Sequence, residues 1–459
     1  MALRALLESV AKKVTPSRAQ AAEIRSITEL VAEQAEQACR GLGIGHTIAG
    51  SYTRSTYMLD KKEFDVFLLF PDSTARDTLE KKGLELGKKI AEGLGGSWIV
   101  AYAEHPYVRA KIKSYNVDIV PAFKVKSADR IISAVDRTPF HNEWLRKRLK
   151  EEQKKEVRLF KQFLKGQGLY GSDEKTRGFS GYLCELLVVH YGNFTKLLAA
   201  ASNWQAGTHI DIEGHGQPAD RKFAGQPLVV IDPVDPQRNV ASVIIAEHFV
   251  KLVRAAERFL DRPSEAFFFP DGAPDLTAVG KLLETRQTRM LAITFGRPDV
   301  IDDILYPQLR KAARRIAAIL HENDFRVMGH AIHADGRCCI LLEMEVWELP
   351  AIYKAEGPSV FDQAHAKQFL AKYRKLGRVW VEDGKYVAEV ARRFPLAKQK
   401  LAHSLGKPEA VLIAKGIPSY VAKALAAMRL LEGKDVLALA ARENGLAATL
   451  QEYLQKDYS

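Results

Sequence analysis

The spacing of apolar and polar residues predicts a mixed α/β region in the first third of the chain. Helical periodicity extends over residues 18–40 and 74–95. Short apolar runs bounded by glycine or proline predict strands over residues 43–51, 63–70, 97–113 (broken at Pro106) and 115–125. Strands and helices that alternate in this way are typical of an α/β domain.

The middle of the chain is predicted to be mostly helical. We expect a charged helix over residues 143–166 and a nearly continuous apolar helix, which should be buried, over residues 180–202. Residues 226–244 predict a strand, a proline-punctuated turn and then a helix that starts near Asn239 or Val240.

The remainder of the chain is predicted to be a second mixed region. Residues 261–275 have the composition of a linker, and residues 290–349 predict a strand, a long helix and two strands around an Ala-Asp-Gly turn. This order favours a ferredoxin-like or RNA-recognition-like sheet. The fold class is therefore α/β (α+β), with three predicted domains at residues 1–145, 146–265 and 266–459.

Composition is that of a globular protein, and the charge indicates a polyanionic partner. The chain has 459 residues, of which 47% are hydrophobic and 27% charged, and a net charge of +12 with a pI near 9.3. Such a charge suits a nucleic acid or a membrane surface and does not decide between them.

Neither a membrane segment nor a disulfide framework is predicted. No stretch of the sequence approaches the ~20 apolar residues that span a bilayer. The N-terminal 20 residues form an amphipathic pattern without the apolar core and cleavage site of a signal peptide, so we expect a soluble, cytoplasmic protein. The cysteines show no CxxC spacing and predict neither disulfides nor a zinc site; they are Cys39, Cys184, Cys338 and Cys339.

A glycine-led turn followed by two carboxylates lies in residues 49–71, AGSYTRSTYMLDKKEFDVFLLFP. Glu63 and Asp65 have the spacing that puts side chains on one face of a strand, while Phe64 and Val66 point the other way, toward a core. Two carboxylates so close repel each other unless a cation lies between them. Taken alone, the pair is equally compatible with an edge strand that has a solvated face.

The spacing of this stretch resembles the signature of the polymerase-β-like nucleotidyltransferases, with eleven residues between Ser51 and Glu63. Gly50 would let backbone N–H groups approach a phosphate, and the Ser51 hydroxyl would donate to it. The carboxylates would bind divalent metals. Such a site needs a third carboxylate on a neighbouring strand, and Asp118 in VDIVP meets this need, although a lone aspartate in an apolar strand is also compatible with a hydrogen-bonded core acid.

Further stretches resemble the archaeal, class I CCA-adding enzymes (tRNA nucleotidyltransferases). Besides the first motif they are EHPYV, VDIVPAF, ISAVDRTPFHNEWL and GFSGYLCELLV, spread over about residues 40–250. Several separate motifs in one order make the resemblance specific, and the motif set of the class II enzymes of bacteria and eukaryotes is not found.

This resemblance implies roles for nine residues. The residues that match the family's catalytic, metal-binding carboxylates are Glu63, Asp65 and Asp118. Those that match its nucleotide-binding positions are Ser51, Arg54, His141, Lys161, Tyr170 and Arg238, of which Lys161 and Tyr170 would contact the triphosphate and Arg238 the incoming base. Each alone has a structural alternative: a solvated lysine, a hydrogen-bonded core residue, or an arginine paired on the surface. Only the joint match favours the functional interpretation.

A basic segment follows at residues 367–400, with ten Lys/Arg against three acids and hence a net charge of +7. Phosphate contacts give salt-sensitive affinity that tolerates any sequence, which suits an enzyme that accepts every tRNA. The predicted RNA-binding residues are Arg392, Arg393, Lys398 and Lys400. A solvated basic face is the alternative. His330 and His333 have strand spacing but no third ligand, so no metal is predicted there.

The resemblance also implies the reaction. The domain of residues 1–145 would be the catalytic head with two Mg²⁺ ions (Mn²⁺ also suits an all-carboxylate site), residues 146–265 would complete the nucleotide pocket, and residues 266–459 would hold tRNA. The tRNA 3′-hydroxyl would attack the α-phosphate of CTP or ATP and release pyrophosphate, so that C, C and A are added. A poly(A) polymerase, an oligoadenylate synthetase and a non-catalytic RNA-binding protein are the alternatives, and a homodimer is left open.

Overall fold

The computed structural model describes residues 2–102, 104–216, 222–270 and 272–456. The chain forms two compact units, the first ending at residue 271 and the second beginning at residue 272. The predicted α/β class is confirmed, because both units contain helices and sheets. The division of the first unit near residue 145 stays a prediction.

The first unit opens with a five-stranded sheet and the helices around it. These elements are α1 (Ala2–Val14), α2 (Arg18–Cys39), β1 (Gly45–Ala49), β2 (Glu63–Pro71), α3 (Arg76–Gly93), β3 (Ser97–Tyr102), β4 (Pro106–Ile112) and β5 (Tyr115–Lys124). The strand order is β1-β2-β5-β4-β3, in which β2 and β5 run parallel and the other neighbours antiparallel. The predicted strands are confirmed, including the break before Pro106.

Strand β2 shows why this sheet has one buried and one functional face. Phe64 and Val66 are buried in a core that also includes residues of α2 and α3. Glu63 and Asp65 alternate with them and therefore share the opposite face, as predicted from the period of a strand.

A helical layer follows with a small three-stranded sheet. Its elements are α4 (Arg137–Arg148), α5 (Glu151–Gly166), α6 (Gly181–Tyr191), α7 (Phe194–Ala201), β6 (Thr208–Ile210), β7 (Leu228–Asp232), β8 (Asp235–Asn239) and α8 (Ala246–Asp261). Both long predicted helices are interrupted. The charged one starts earlier, as α4, and breaks before α5. The apolar one ends at Gly192, whose φ of 90° favours glycine, and Asn193 then caps α7 by accepting from the Lys196 N–H.

The predicted start of a helix near Asn239 or Val240 is wrong, because residues 235–239 form strand β8 and α8 begins at Ala246. The Asn239 side chain closes the β7–β8 hairpin instead. Its oxygen accepts from the Val230 N–H at 2.8 Å, and its amide donates to the Leu228 carbonyl at 2.9 Å. A buried asparagine satisfied in this way holds a turn and does not start a helix.

The predicted linker at residues 261–275 is only partly a linker. The boundary between the two units lies within it, but Phe268 is fully buried. Phe267 stacks on Phe163 of α5, and the Phe268 carbonyl accepts from the Gln162 amide at 2.7 Å. The aromatic residues before the boundary therefore belong to the core of the first unit.

The second unit contains two antiparallel sheets. Its elements are α9 (Leu276–Arg286), β9 (Arg289–Gly296), α10 (Asp302–His321), β10 (Arg326–Ala334), β11 (Arg337–Val346), β12 (Ile352–Ser359), α11 (Gln363–Tyr373), β13 (Val379–Glu382), β14 (Lys385–Ala391), α12 (Ala397–Leu405), α13 (Glu409–Ala414), α14 (Ser419–Ala424), β15 (Arg429–Glu432), α15 (Lys434–Ala440) and α16 (Asn444–Leu454). The sheets are ordered β10-β11-β9-β15 and β12-β14-β13. The predicted strand-helix-strand-strand order is confirmed by β9, α10, β10 and β11.

The structure also describes all four cysteines as buried free thiols. Among the described residues, no helix is both long and apolar enough to cross a bilayer.

Candidate active site

The turn that precedes the acidic strand is built around Gly50. Its φ of 93° is a conformation that side chains rarely adopt, and a short 3₁₀ turn from Ser51 to Arg54 starts directly after it. A Cβ added to Gly50 would lie 3.7 Å from Oδ2 of Asp65. The turn therefore brings the backbone of Gly50 and Ser51 beside the carboxylate, as the sequence motif predicts.

Two of the three predicted carboxylates are direct neighbours across the parallel strands. Asp65 of β2 is paired in register with Asp118 of β5, and Glu63 is paired with Asn116. Burial and the charges of Asp118 and Glu63 raise the pKa of Asp65 to about 7, and Arg109 opposes this rise only in part. The site thus carries more negative charge than its surroundings stabilise.

Arg109 is a member of this site that the sequence analysis missed. It lies on β4 in register with Asp118, and its Nε and Nη2 donate to the two Asp118 oxygens, each at 2.7 Å. Its Nη2 also donates to the Tyr107 hydroxyl at 3.0 Å. The sequence shows that Arg109 and Lys111 are two residues apart and therefore share one face of a strand, but it does not show that β4 pairs with β5.

The donor set fits a divalent cation by its chemistry. Three carboxylates provide the hard oxygen ligands that Mg²⁺ and Mn²⁺ prefer. After burial, the charges of Asp118 and Glu63 are the next causes of the raised pKa of Asp65, and a cation would act against this repulsion. Within the part of the chain that the structure describes, no three Asp, Glu, His or Cys side chains are close enough together to hold a metal ion. Both oxygens of Asp118 accept from Arg109, which is therefore a competitor for this ligand.

A cavity of about 260 Å³ lies over these carboxylates. Five of the nine predicted residues line it: Ser51, Glu63, Asp65, Asp118 and Tyr170. The other four, Arg54, His141, Lys161 and Arg238, do not line it and form two separate groups of contacts.

The first group is centred on Glu185 of α6, a fully buried carboxylate that the sequence analysis missed. Its Oε2 accepts from Arg54 Nη2 at 2.7 Å, and its Oε1 accepts from the Thr56 hydroxyl and lies 3.7 Å from Lys161 Nζ. Burial acts to raise the pKa of Glu185, but Arg54 and Lys161 outweigh it and keep this pKa below its usual value. A signal was available, since Glu185 is a charge within a nearly continuous apolar stretch.

Lys161 and Arg54 are therefore not surface residues. Lys161 is fully buried and donates to the Thr56 carbonyl at 3.0 Å, so the alternative of a solvated lysine is wrong. Burial lowers the pKa of its amine, and Glu185 opposes this effect. The Nε of Arg54 is buried without a hydrogen-bond partner among the described residues. An unpaired guanidinium N–H beside the Gly50–Ser51 turn is suited to an anionic ligand.

The second group is centred on Asp232, the last residue of β7 and fully buried. Its Oδ2 accepts from Arg238 Nη1 at 2.7 Å and lies 2.8 Å from His141 Nε2. Tyr182 stacks on the His141 ring, with ring centroids 4.2 Å apart. The structure thus brings together two residues that the sequence analysis named separately, and it does so through an acid that was not named.

In the second unit, three of the four predicted RNA-binding residues line one cavity, namely Arg392, Arg393 and Lys400, whereas Lys398 does not. Arg392 donates to Asp324 at 2.8 Å and lies over the ring of Tyr353. Arg393 is exposed and lies near the ring of Phe394.

A glycine-led turn beside carboxylates on two parallel strands is the arrangement that the sequence analysis expects of a nucleotidyltransferase. Comparison with protein families supports a narrower identity. Residues 155–269 match "tRNA nucleotidyltransferase, second domain", and residues 286–423 match "CCA-adding enzyme, C-terminal domain".

Similar proteins cover most of the chain. The CCA-adding enzyme of Methanosarcina acetivorans is 38% identical over 87% of this chain and 90% of its own length. Those of Methanoregula boonei and Archaeoglobus fulgidus are 43% and 36% identical, over 76% and 89% of this chain and 76% and 92% of their own. The chain belongs to the family of CCA-adding enzymes. The family prediction is thereby confirmed over the poly(A) polymerase, oligoadenylate synthetase and non-catalytic alternatives.

Proposed function

We propose that this protein adds C, C and A to the 3′ end of tRNA from CTP and ATP and releases pyrophosphate. The observation that carries the proposal is the register pairing of Asp65 with Asp118 beside the Gly50–Ser51 turn, in a chain of the CCA-adding family. The proposed leaving group is the β,γ-pyrophosphate, and the proposed nucleophile is the terminal tRNA hydroxyl.

Glu63, Asp65 and Asp118 would hold two divalent cations, Mg²⁺ or Mn²⁺. When bound, these ions would neutralise the triphosphate and lower the pKa of the attacking hydroxyl. The other contacts with the triphosphate would come from groups of the chain itself. Ser51 and the N–H groups of the turn would donate to a phosphate, and Tyr170, which also lines the cavity, would donate through its hydroxyl.

Arg54 and Lys161 act as a fixed positive charge behind the turn. With one carboxylate between them, Glu185, the buried group carries a net charge of about +1 when all three are ionised. Neither the Arg54 nor the Lys161 side chain lines the cavity, so they would attract the triphosphate through their charge and by holding the turn in place. Such preorganised charges attract an anion without the cost of reorienting side chains.

The test uses three tRNA transcripts, ending at the residue before CCA, after the first C, and after CC. Each is incubated with one labelled triphosphate, in Mg²⁺, in Mn²⁺ and in EDTA. We expect two additions of C to the shortest transcript, one addition of A to the CC transcript, none from UTP or GTP, and none in EDTA. Repeated addition of A to every transcript would indicate a poly(A) polymerase, and no addition at all would overturn the proposal.

A further inference from the structure

The buried acid Asp232 lies at the meeting point of three separate segments. His141 comes from α4, Tyr182 from α6 and Arg238 from β8. Besides the bonds to Arg238 and His141, its Oδ1 accepts from the Val234 N–H at 3.1 Å and from the Tyr182 hydroxyl at 3.3 Å. A carboxylate that is 0% exposed and satisfied at both oxygens is a built anchor and not a solvated surface charge.

The buried carboxylate of Asp232 determines which hydrogen-bonding atoms of the neighbouring side chains are left to contact a ligand. Burial acts to raise the pKa of Asp232, but the hydrogen bonds from His141, Arg238 and Val234 outweigh burial and keep this pKa below its usual value. An ionised carboxylate only accepts hydrogen bonds, so His141 must carry a proton on Nε2. In the neutral ring, Nδ1 is then the acceptor.

Among the described residues, the hydrogen bond of the Arg238 guanidinium is to Asp232. Its Nη1 donates to Asp232, while its side chain stays 38% exposed. The guanidinium is a rigid planar fork, so the bond at Nη1 restricts where the remaining donors can lie. The accessible part of Arg238 is therefore presented to a ligand from a restricted range of directions.

We propose that Asp232 is a positioning residue that holds Arg238 and His141 in the orientation that selects CTP and ATP over UTP and GTP. This inference rests on the proposed function. Cytosine and adenine present an amino donor beside a ring-nitrogen acceptor, whereas uracil and guanine present a carbonyl beside an N–H. A donor fixed in direction opposes the second pattern, and a donor free to turn accommodates both.

The test compares Asp232→Asn with Asp235→Asn and Arg238→Ala. Asp235 belongs to the same hairpin, but it pairs with Arg137 at 2.8 Å, so its variant is the matched control. We expect Asp232→Asn to lower the ratio of kcat/KM for CTP over UTP by about tenfold or more, the equivalent of one charged hydrogen bond. Asp235→Asn should keep the ratio of the wild type.

A double-mutant cycle separates positioning from a general structural role. If Asp232 acts through Arg238, adding Asp232→Asn to Arg238→Ala should cause little further loss of selectivity, because residues in one network are not additive. Equal losses in both backgrounds, or unchanged selectivity in Asp232→Asn, would overturn the inference. A wild-type protein that does not prefer CTP and ATP would instead overturn the proposed function.

A measurement on the wild-type protein is independent of whether the variants fold. In ¹⁵N-histidine-labelled protein, with the His141 signals identified by their loss in His141→Gln, we expect a proton on Nε2. A neutral ring protonated on Nδ1 would show that His141 does not donate to Asp232, and this result too would overturn the inference.

Discussion

Asp65 and Asp118 differ in whether a positive charge is paired with them. Asp65 lies on β2, Asp118 on β5 and Arg109 on β4, so two negative charges and one positive charge lie side by side across three strands. Asp118 is paired with the Arg109 guanidinium, whereas Asp65 is not. Burial is the main cause of the raised pKa of Asp65, and the charges of Asp118 and Glu63 add to it. The two aspartates should therefore respond differently to changes at Arg109.

Removing either aspartate should stop catalysis without affecting RNA binding. We expect Asp65→Ala and Asp118→Ala to lower turnover strongly. Each change removes a metal ligand, and with it several kcal/mol of transition-state stabilisation. Their tRNA affinity, measured by filter binding, should stay near that of the wild type. Asp72→Ala, an exposed acid just after β2, is the control. Near-normal turnover in either site variant would refute the assignment of the site.

Arg109 should weaken metal binding in the absence of substrates. Because its guanidinium occupies both oxygens of Asp118, Arg109→Gln should bind Mn²⁺ more tightly than the wild type, as measured by the loss of the free Mn²⁺ signal in electron paramagnetic resonance. Lys111→Gln removes the same charge two residues further along β4 and should have a smaller effect. Equal or weaker Mn²⁺ binding in Arg109→Gln would show that Arg109 does not compete.

At the scale of elements, the helices α5 and α6 hold the turn that follows β1. Glu185 receives hydrogen bonds from Arg54 and Thr56 of that turn, and Arg158 of α5 donates to the Ser55 carbonyl. The turn is thus held from both α5 and α6 by buried polar contacts. Such contacts are costly to break, because each leaves a charge without its partner.

Glu185→Gln should accordingly destabilise the first unit. Breaking a buried ion pair at one partner costs about 3–5 kcal/mol, since Arg54 and Lys161 would remain charged and uncompensated. We expect a clear fall in the urea midpoint, followed by circular dichroism. Glu152→Gln, at an exposed position of α5, should leave the midpoint unchanged. If the two variants unfold alike, the buried network contributes little to stability.

How much could be predicted from sequence depended on whether the signal was local. The shared face of Glu63 and Asp65 follows from the period of one strand and was predicted. The pairing of Arg109 with Asp118 depends on the register between two strands, which no local pattern encodes. The interruption at Gly192 did have a local signal, a glycine followed by an asparagine, but the apolar run around it outweighed that signal.

Some residues that the sequence analysis missed could have been identified by a physical rule. A charge in an apolar helix, such as Glu185, must be paired when buried, and the search for its partners leads to Arg54 and Lys161. Asn239 offers no comparable rule, because its hydrogen bonds to the β7 backbone depend on the hairpin that they stabilise.

At the scale of the whole molecule, the positive charges differ in how accessible they are to an RNA partner. The chain carries a net charge of +12, and residues 367–400 alone contribute +7, from ten basic and three acidic residues. Not every cation there is equally accessible. Arg392 is paired with Asp324, and its side chain is only 20% exposed, whereas Arg393 is exposed. Phosphate contacts should therefore depend more on Arg393 than on Arg392.

Charge reversal in this segment should change the salt dependence of tRNA binding. We expect Arg393→Glu with Lys398→Glu to weaken binding, and each lost phosphate contact to lower the slope of log affinity against log salt by roughly 0.7 to 0.9. Arg392→Glu should have a smaller effect because its charge is already compensated by Asp324. Lys281→Glu, an exposed change on α9 in the same unit, is the matched control, and affinity for CTP should stay constant in all variants because the proposed nucleotide site lies in the first unit. A salt slope that is the same in Arg393→Glu/Lys398→Glu as in Lys281→Glu would mean that the segment is a solvated basic face and that tRNA is held elsewhere.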